Sequence, residues 1–138
     1  MIWDCQARSH KGQYKDRNED LFYCPGPNEK PELFIVADGM GGRIGGEIAA
    51  QAAVSAMKDY FAKKEGQVYS PGLTLQQGVS AANRAILSRA RRQPSLQGMC
   101  TTLICALPQD YGFLVAHVGD SRAYRFHDGE LNNSIISV

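Results

Sequence analysis

The chain has 138 residues, and its 15 lysines and arginines against 14 aspartates and glutamates give a formal net charge of +1. That length fits one domain with a core of its own. A charge this close to zero provides no general attraction to nucleic acid or to an anionic membrane. The 43% hydrophobic content is typical of a folded globular domain and argues against intrinsic disorder.

The apolar runs and the start of the sequence indicate where in the cell the protein is expected to be. Runs such as residues 33–37 are too short to cross a bilayer, and the start lacks the basic-then-apolar layout of a signal peptide. We therefore predict a cytoplasmic location. Cysteines in that compartment stay reduced and are mostly buried, so we predict free thiols here. The chain has four cysteines, none of which forms a C-x-x-C pair: Cys5, Cys24, Cys100 and Cys105.

The first part of the chain predicts strands, a turn and a glycine-rich loop. Apolar and β-branched residues predict strands over 3–9, 20–24 and 32–37. The proline-containing stretch 25–31 predicts a turn between the last two, so that they form a hairpin. Residues 38–46, rich in glycine, are expected to form a loop.

Two helices and three strands are predicted after that loop. Apolar residues at helical spacing indicate helices over about 48–61 and 73–92, with a break at 70–72. The strands and turns that follow are strands 101–107, 112–118 and 122–126, turns 108–110 and 119–121, and a D-G hairpin signal at Asp128 and Gly129. Strands, then helices, then strands predict an α+β domain with mainly antiparallel sheets.

Acidic residues stand at the ends of these strands. Glu19 and Asp20 adjoin the second strand, Asp38 ends the third, and Asp120 lies in a tight turn between two late strands. Taken singly, such residues are more often caps or solvated turn residues. Together they suit a hard cation such as Mg²⁺, Mn²⁺ or Ca²⁺. Asp38 is the strongest candidate, because the glycines after it would let backbone carbonyls approach an ion.

Other chemistries find less support. Ile44 stands where the third glycine of a G-x-G-x-x-G loop would be, so direct nucleotide binding is disfavoured. The sequence contains no G-x-S-x-G motif, so it does not indicate a serine nucleophile. The basic group near residue 90 is typical of a solvated helix end that is favourable to the helix dipole; it comprises Arg84, Arg89, Arg91 and Arg92.

Four sequence blocks, in this order, resemble the PP2C (PPM) metal-dependent protein serine/threonine phosphatases of the bacterial type. The blocks are residues 18–20 (N-E-D), 36–42 (V-A-D-G-M-G-G) with 46–47 (G-E), 101–103 (T-T-L) and 118–124 (V-G-D-S-R-A-Y). The resemblance implies a PP2C-like α-β-β-α sandwich of antiparallel sheets with a metal cluster between the sheets. It covers about residues 3–131. We predict residues 1–131 to be the N-terminal part of such a domain and 132–138 to be a tail without the resemblance.

The resemblance also implies roles for the acidic residues. Asp38 would bridge two Mn²⁺ or Mg²⁺ ions, Gly39 would lend its carbonyl, and Glu19 would bind one of the ions. Asp20 would steady the water around the ions, and Asp120 would bind a third, weaker ion. Asp38 and Glu19 are thereby the expected catalytic residues. A water bridged by the metals would hydrolyse phosphoserine or phosphothreonine in a protein substrate.

A basic residue is expected to bind the substrate phosphate. The family has an arginine three residues before the N-E-D block, and Lys15 occupies that position here, with Arg17 nearby. Lys15 keeps the positive charge but lacks the bidentate fork of arginine. Cys100 replaces the glycine that usually precedes the two threonines, a change that we expect to be structural.

The family's two later aspartate ligands have no counterpart after Asp120, so the sequence resembles the first half of a PP2C domain. The alternative to a working phosphatase is a catalytically inactive PP2C-like fragment that acts as a binding or interaction module. A phosphorylated protein is the expected partner, without nucleic acid or membrane. Incomplete sheets also predict self-association.

Overall fold

The structure is a computed structural model that describes residues 4–26, 33–42, 44–64, 70–110 and 112–132. The elements are β1 (Asp20–Tyr23), β2 (Phe34–Met40), α1 (Gly45–Ala62), α2 (Pro71–Arg92), a 3₁₀ turn (Pro94–Leu96), β3 (Cys100–Thr101), β4 (Leu103–Gln109), β5 (Gly112–Val118), β6 (Arg125–His127) and β7 (Glu130–Asn132). No helix in the described ranges is both long and apolar enough to span a membrane.

The strands form one main sheet and one short ribbon. The main sheet has the order β1-β2-β4-β5, with β3 paired to the end of β2, and every pairing is antiparallel. β6 and β7 make a separate antiparallel ribbon, closed by Asp128 and Gly129 at φ 52° and 80°. Two positive φ angles are what a D-G hairpin turn requires. The predicted α+β class with antiparallel sheets is confirmed.

Both helices pack on one face of the main sheet. Along β2, buried Ile35 and Ala37 alternate with exposed Val36 and Asp38, so the acidic residue lies on the face away from the core. α1 is rich in alanine, which lets its backbone approach the sheet closely. Met57 is fully buried, which stabilises the fold by roughly 2 kcal/mol. The other buried helix residues include Ala49, Ala50, Ala53, Leu75, Ala82 and Ile86.

The predicted strand over 3–9 is wrong for residues 4–9, which the structure describes as irregular; residue 3 lies outside the described ranges. A strand requires a hydrogen-bonded neighbour, and apolar content alone cannot reveal whether there is one. Side chains hold this segment instead. The Asn18 amide donates a hydrogen bond of 2.7 Å to the Ser9 hydroxyl. Cys5 is joined to Cys24 in a disulfide, with the Cα atoms 6.7 Å apart.

This disulfide corrects the prediction of four reduced thiols, which was wrong for Cys5 and Cys24. The folding of segment 4–10 beside the end of β1 brings the two sulfurs together, and no short sequence spacing signals that approach. The other two cysteines are free: Cys105 is buried, as expected, and Cys100 is exposed. Most of the predicted turn at 25–31 lies outside the described residues.

The loop predicted from residue 38 begins later than expected. β2 continues through Asp38 and Gly39 to Met40, because strands on both sides give it partners: Asp38 lies opposite Asp20, and Gly39 lies opposite Thr101. α1 then begins at Gly45 rather than at residue 48. Glycine weakens the local strand and helix signals here, so the sequence predicted a loop where tertiary pairing makes a strand.

Three other elements differ from the prediction. Pro71 opens α2 rather than breaking the chain, because the first turn of a helix does not need the amide hydrogen that proline lacks. The strand predicted over 101–107 is interrupted at Thr102, and β4 then runs on to Gln109, into the predicted turn. Of the strand predicted over 122–126, only the end is strand, within β6.

Candidate metal site

The N-E-D block and Asp38 meet where β1 begins and β2 ends. Asp20 lies directly opposite Asp38 in the antiparallel pair. The Gly39 amide donates a hydrogen bond of 3.0 Å to the Glu19 carbonyl oxygen, which extends this pairing by one residue. Strand pairing therefore brings the Asp38 carboxylate to the same corner of the sheet as the adjacent carboxylates of Glu19 and Asp20, which are distant from it in the sequence.

Two glycines allow this corner to close. A Cβ atom built on Gly39 would lie 2.8 Å from the Glu19 carbonyl oxygen and would overlap the Gly46 carbonyl. A Cβ atom built on Gly46 would lie 2.8 Å from the Gly39 carbonyl oxygen and would overlap Glu19 Oε1. The Gly39 carbonyl and the Glu19 carboxylate, both predicted metal ligands, thus flank the same space at the start of α1. Any side chain at position 46 would fill that space.

The carboxylates are crowded. Partial burial, followed by the charge of Asp38 and a side-chain hydrogen bond with it, raises the pKa of Asp20. Glu19 adds to this effect, whereas Lys15 opposes it. Like charges held together in this way are stabilised by a proton or by a cation. Carboxylate oxygens are also the ligands that hard divalent cations prefer, so the donor chemistry fits the predicted ions.

Both predicted phosphate-binding residues form ion pairs. Lys15 Nζ lies 2.9 Å from Glu19 Oε2, and this hydrogen bond, with the charges of Glu19, Asp38 and Asp20, raises the pKa of Lys15. Arg17 Nη1 lies 3.3 Å from Glu47 Oε2, in the first turn of α1. Lys15 therefore belongs to the carboxylate cluster, whereas Arg17 is directed toward Glu47.

A hydrogen-bond network joins Asp38 to the turn after β5. The Asp38 amide donates to Thr102 Oγ1 at 3.1 Å, and the Thr102 amide donates to the Asp38 carbonyl at 2.9 Å. Thr102 Oγ1 also lies 2.6 Å from Ser121 Oγ, and His117 Nε2 lies 2.7 Å from the Ser121 carbonyl oxygen. Thr102 and Ser121 both belong to the motif blocks, but the sequence indicated no role for their hydroxyl groups. His117 had no sequence signal beyond its position one residue before the last block.

Asp120 is the predicted metal ligand that lies apart from the other carboxylates of the site. It is exposed in the turn beside Ser121, and its charge acts on Arg122, whose pKa is raised mainly by a hydrogen bond with Tyr124. The structure brings together Glu19, Asp20 and Asp38, with Gly39 and Lys15. Within the described ranges, no three His, Cys, Asp or Glu side chains are arranged to hold a metal ion. The metal-ligand roles therefore stay predictions.

Comparison with known proteins identifies relatives of this chain. The family described as Protein phosphatase 2C matches residues 8–137. The chain is similar to the serine/threonine protein phosphatase PstP of Mycobacterium tuberculosis, at 36% identity over 125 residues, which are 91% of this chain and 23% of that protein. It is also similar to the serine/threonine phosphatase stp of Listeria innocua, at 32% identity over 86% of this chain and 48% of that protein.

Solved structures show the same likeness. The crystal structure of PstP/Ppp from M. tuberculosis superposes with a TM-score of 0.78 at 34% identity, covering 94% of this chain and 52% of that one. The catalytic domain of PstP in complex with two manganese ions superposes with a TM-score of 0.80 at 33% identity, covering 94% and 54%. The chain thus spans about half the length of these solved structures. The match to the family continues to residue 137, and the division at residue 131 stays a prediction.

Proposed function

Because the chain belongs to the protein phosphatase 2C family, we propose that its function is Mn²⁺- or Mg²⁺-dependent hydrolysis of phosphoserine and phosphothreonine in proteins. The meeting of Glu19, Asp20 and Asp38 where β1 pairs with β2 is the observation that carries this proposal. Manganese is supported by the PstP catalytic domain, whose structure contains two manganese ions. We propose two ions here and a third, weaker one at Asp120.

The residues of the cluster have distinct tasks. Bound divalent cations supply positive charge that lowers the pKa of water and stabilises a transferring phosphoryl group. Asp38 and Glu19 would hold them through carboxylate oxygens, and Gly39 would do so through its carbonyl. Asp20, beside Asp38, would orient water by accepting its hydrogen bonds. No protein nucleophile is required, in agreement with the absence of a nucleophile motif from the sequence.

Lys15 is the residue that we propose to contact the substrate phosphate. Its ammonium lies at the carboxylate cluster, whereas the Arg17 guanidinium is paired with Glu47. Lysine binds phosphate as a point charge, while arginine provides two parallel hydrogen bonds. Lys15→Arg should therefore lower the KM for a phosphopeptide, and Arg17→Lys should leave it unchanged. An unchanged KM in Lys15→Arg, with a changed KM in Arg17→Lys, would assign the phosphate to Arg17.

The main test is Mn²⁺-dependent phosphate release from a phosphothreonine peptide. Asp38→Ala should reduce release roughly 100-fold or more, since an electrostatic group at the reacting centre is lost. Asp59→Ala, a change of an exposed aspartate on α1, is the matched control and should retain the wild-type rate. In calorimetry, Asp38→Asn should weaken Mn²⁺ binding at least about tenfold. Unchanged release and unchanged binding in both Asp38 variants would refute the proposal.

A catalytically inactive binding module is the second candidate. It is favoured by the lack, within the described ranges, of three side chains arranged around one metal position. Such a module would bind the phosphothreonine peptide with an affinity that does not depend on Mn²⁺ and would release no phosphate. Peptide binding followed by fluorescence anisotropy, beside the release assay, separates the two functions.

The partners are proposed on the same basis: we propose a phosphorylated protein substrate, without nucleic acid or a membrane as partner. The cytoplasmic location stays a prediction, and one structural observation opposes it. The Cys5–Cys24 disulfide argues against a reducing compartment, where such bonds are rare. Thiol labelling after rapid acid quenching of cells decides this point: labelled Cys5 and Cys24 support the cytoplasm, and unlabelled ones contradict it.

A further inference from the structure

The Lys15–Glu19 ion pair is unequal in its exposure. The Lys15 side chain is 56% exposed, whereas that of Glu19 is only 19% exposed. The residues are four apart, but they lie in an irregular segment rather than in a helix, so the local fold brings them together. The carboxylate is therefore fixed and shielded, while the ammonium at the end of a flexible stem has water on its other side. Of the two partners, Lys15 is the one that can leave.

The charges around Lys15 do not balance. One ammonium faces Glu19 directly and also experiences the charges of Asp38 and Asp20. Asp20 is the next residue after Glu19 and lies directly opposite Asp38 in the antiparallel pair, so two further carboxylates stand beside the one that Lys15 contacts. A lysine ammonium is a compact point charge that binds the same carboxylate oxygens as a hard divalent cation, but it carries half the charge.

We propose that Lys15 is the internal counter-ion of this carboxylate cluster, so that a divalent cation competes with its ammonium for Glu19 and, on binding, releases it toward an anionic ligand. This inference rests on the proposed function, because it places the divalent cation at Glu19. It adds that the cation and the phosphate bind cooperatively through one side chain. By linkage, each ligand must strengthen the binding of the other by the same factor.

The neighbouring ion pair supplies a matched comparison. Arg17 belongs to the same segment as Lys15, but its partner Glu47 is in the first turn of α1 and is outside the cluster. The Arg17–Glu47 pair ties the segment to the helix while the Lys15 side chain changes partner. Removing the Arg17 charge therefore tests a general change of charge near the site, without removing the competitor for Glu19.

The first experiment is calorimetric titration of Mn²⁺ into the wild-type chain, Lys15→Met and Arg17→Met. Lys15→Met should lower the Kd for Mn²⁺ about fivefold, because Mn²⁺ no longer has to displace an ion pair, while Arg17→Met should change it by less than about twofold. An unchanged or higher Kd in Lys15→Met overturns the inference. Equal tightening in both variants also overturns it, since the effect would then be one of general charge.

A second measurement needs no substitution. In the wild-type chain with ¹³C-labelled lysine, Mg²⁺ should move the Lys15 side-chain NMR signal toward that of a solvated lysine, while the exposed Lys11 signal stays in place. A Lys15 signal that does not respond at saturating Mg²⁺ overturns the inference and leaves the proposed function standing. If the wild-type chain binds neither Mn²⁺ nor Mg²⁺, the proposed metal site fails and the inference fails with it.

Discussion

Backbone pairing between β1 and β2 places Asp20 directly opposite Asp38. The raised pKa of Asp20 means that the folded chain holds a proton there more tightly than the unfolded chain does. Stability of the metal-free chain should therefore fall as pH rises from about 4 through the folded pKa of Asp20. The strand pair stores this repulsion at the place where a cation is proposed to bind.

Asp20→Asn should stabilise the metal-free chain at pH 7, because it removes one of the two crowded charges. We expect a gain of about 0.5 kcal/mol, reduced by solvent screening at this exposed corner. The measurement is thermal unfolding in the presence of EDTA, at pH 4 and at pH 7. Asp110→Asn, a change in the exposed turn after β4, should have no such effect. A loss of stability in Asp20→Asn at pH 7 would show that hydrogen bonds to the carboxylate outweigh the repulsion.

The two free cysteines should differ sharply in reactivity. Burial raises the pKa of Cys105 to about 12, so at pH 8 it is a protonated, inaccessible thiol, whereas Cys100 is exposed. Iodoacetamide should modify Cys100 alone in the native chain, and should modify Cys105 as well after unfolding without reductant. Cys5 and Cys24 should react only after reduction. Peptide mass spectrometry measures all four positions, and modification of native Cys105 would contradict its burial.

At the scale of elements, the start of α1 and the end of β2 lie too close together to admit a Cβ atom on Gly46 or on Gly39. Gly46→Ala should destabilise the chain by about 2 kcal/mol and weaken Mn²⁺ binding, because the added Cβ would meet Glu19 and the Gly39 backbone. Gly72→Ala, at the start of α2, is the control. Its Cβ would meet only Leu114 at 4.0 Å, so that change should be neutral or stabilising. Denaturant unfolding of both variants compares them directly, and similar stability for the two would refute the close approach.

Thr102 connects β2 to the turn after β5. Thr102→Val keeps the side-chain shape but removes the hydrogen bonds to the Asp38 amide and to Ser121. We expect a loss of about 1–2 kcal/mol in unfolding free energy, together with weaker Mn²⁺ binding. Ser80→Ala, which removes an exposed hydroxyl within α2, should change neither quantity. If Thr102→Val retains wild-type stability, the network does not position Asp38.

At the scale of the whole molecule, helices cover one face of the main sheet and leave apolar side chains on the other. Val36 and Phe113 are about half exposed, and among the described strands β5 pairs only with β4. Open edges and apolar faces favour association. We predict concentration-dependent self-association in sedimentation velocity, reduced by Phe113→Lys. Leu87→Lys is the control, since Leu87 is 46% exposed on α2 against 49% for Phe113. A chain that stays monomeric at every concentration contradicts the prediction.

The sequence by itself determined the α+β class, both helices, most of the strands and the residues of the acidic cluster. It did so because those features depend on local patterns: helical spacing in α1 and α2, the D-G turn at Asp128, and contiguous blocks such as N-E-D. The same patterns failed near glycine and proline. Gly39 led to a predicted loop where β2 continues, and Pro71 led to a predicted chain break where α2 begins, although the first turn of a helix accepts proline.

Only the tertiary structure decided which distant groups meet. The packing of separate segments determines three contacts. It places Asp20 opposite Asp38, it pairs Lys15 rather than Arg17 with Glu19, and it joins Cys5 to Cys24 in a disulfide. The hydroxyl of Thr102 likewise gained a role only once β2 and the turn after β5 were adjacent. The physical reason is range: propensity and periodicity act within a few residues, whereas crowded charges, ion pairs and close backbone approach are set by contacts across the whole fold.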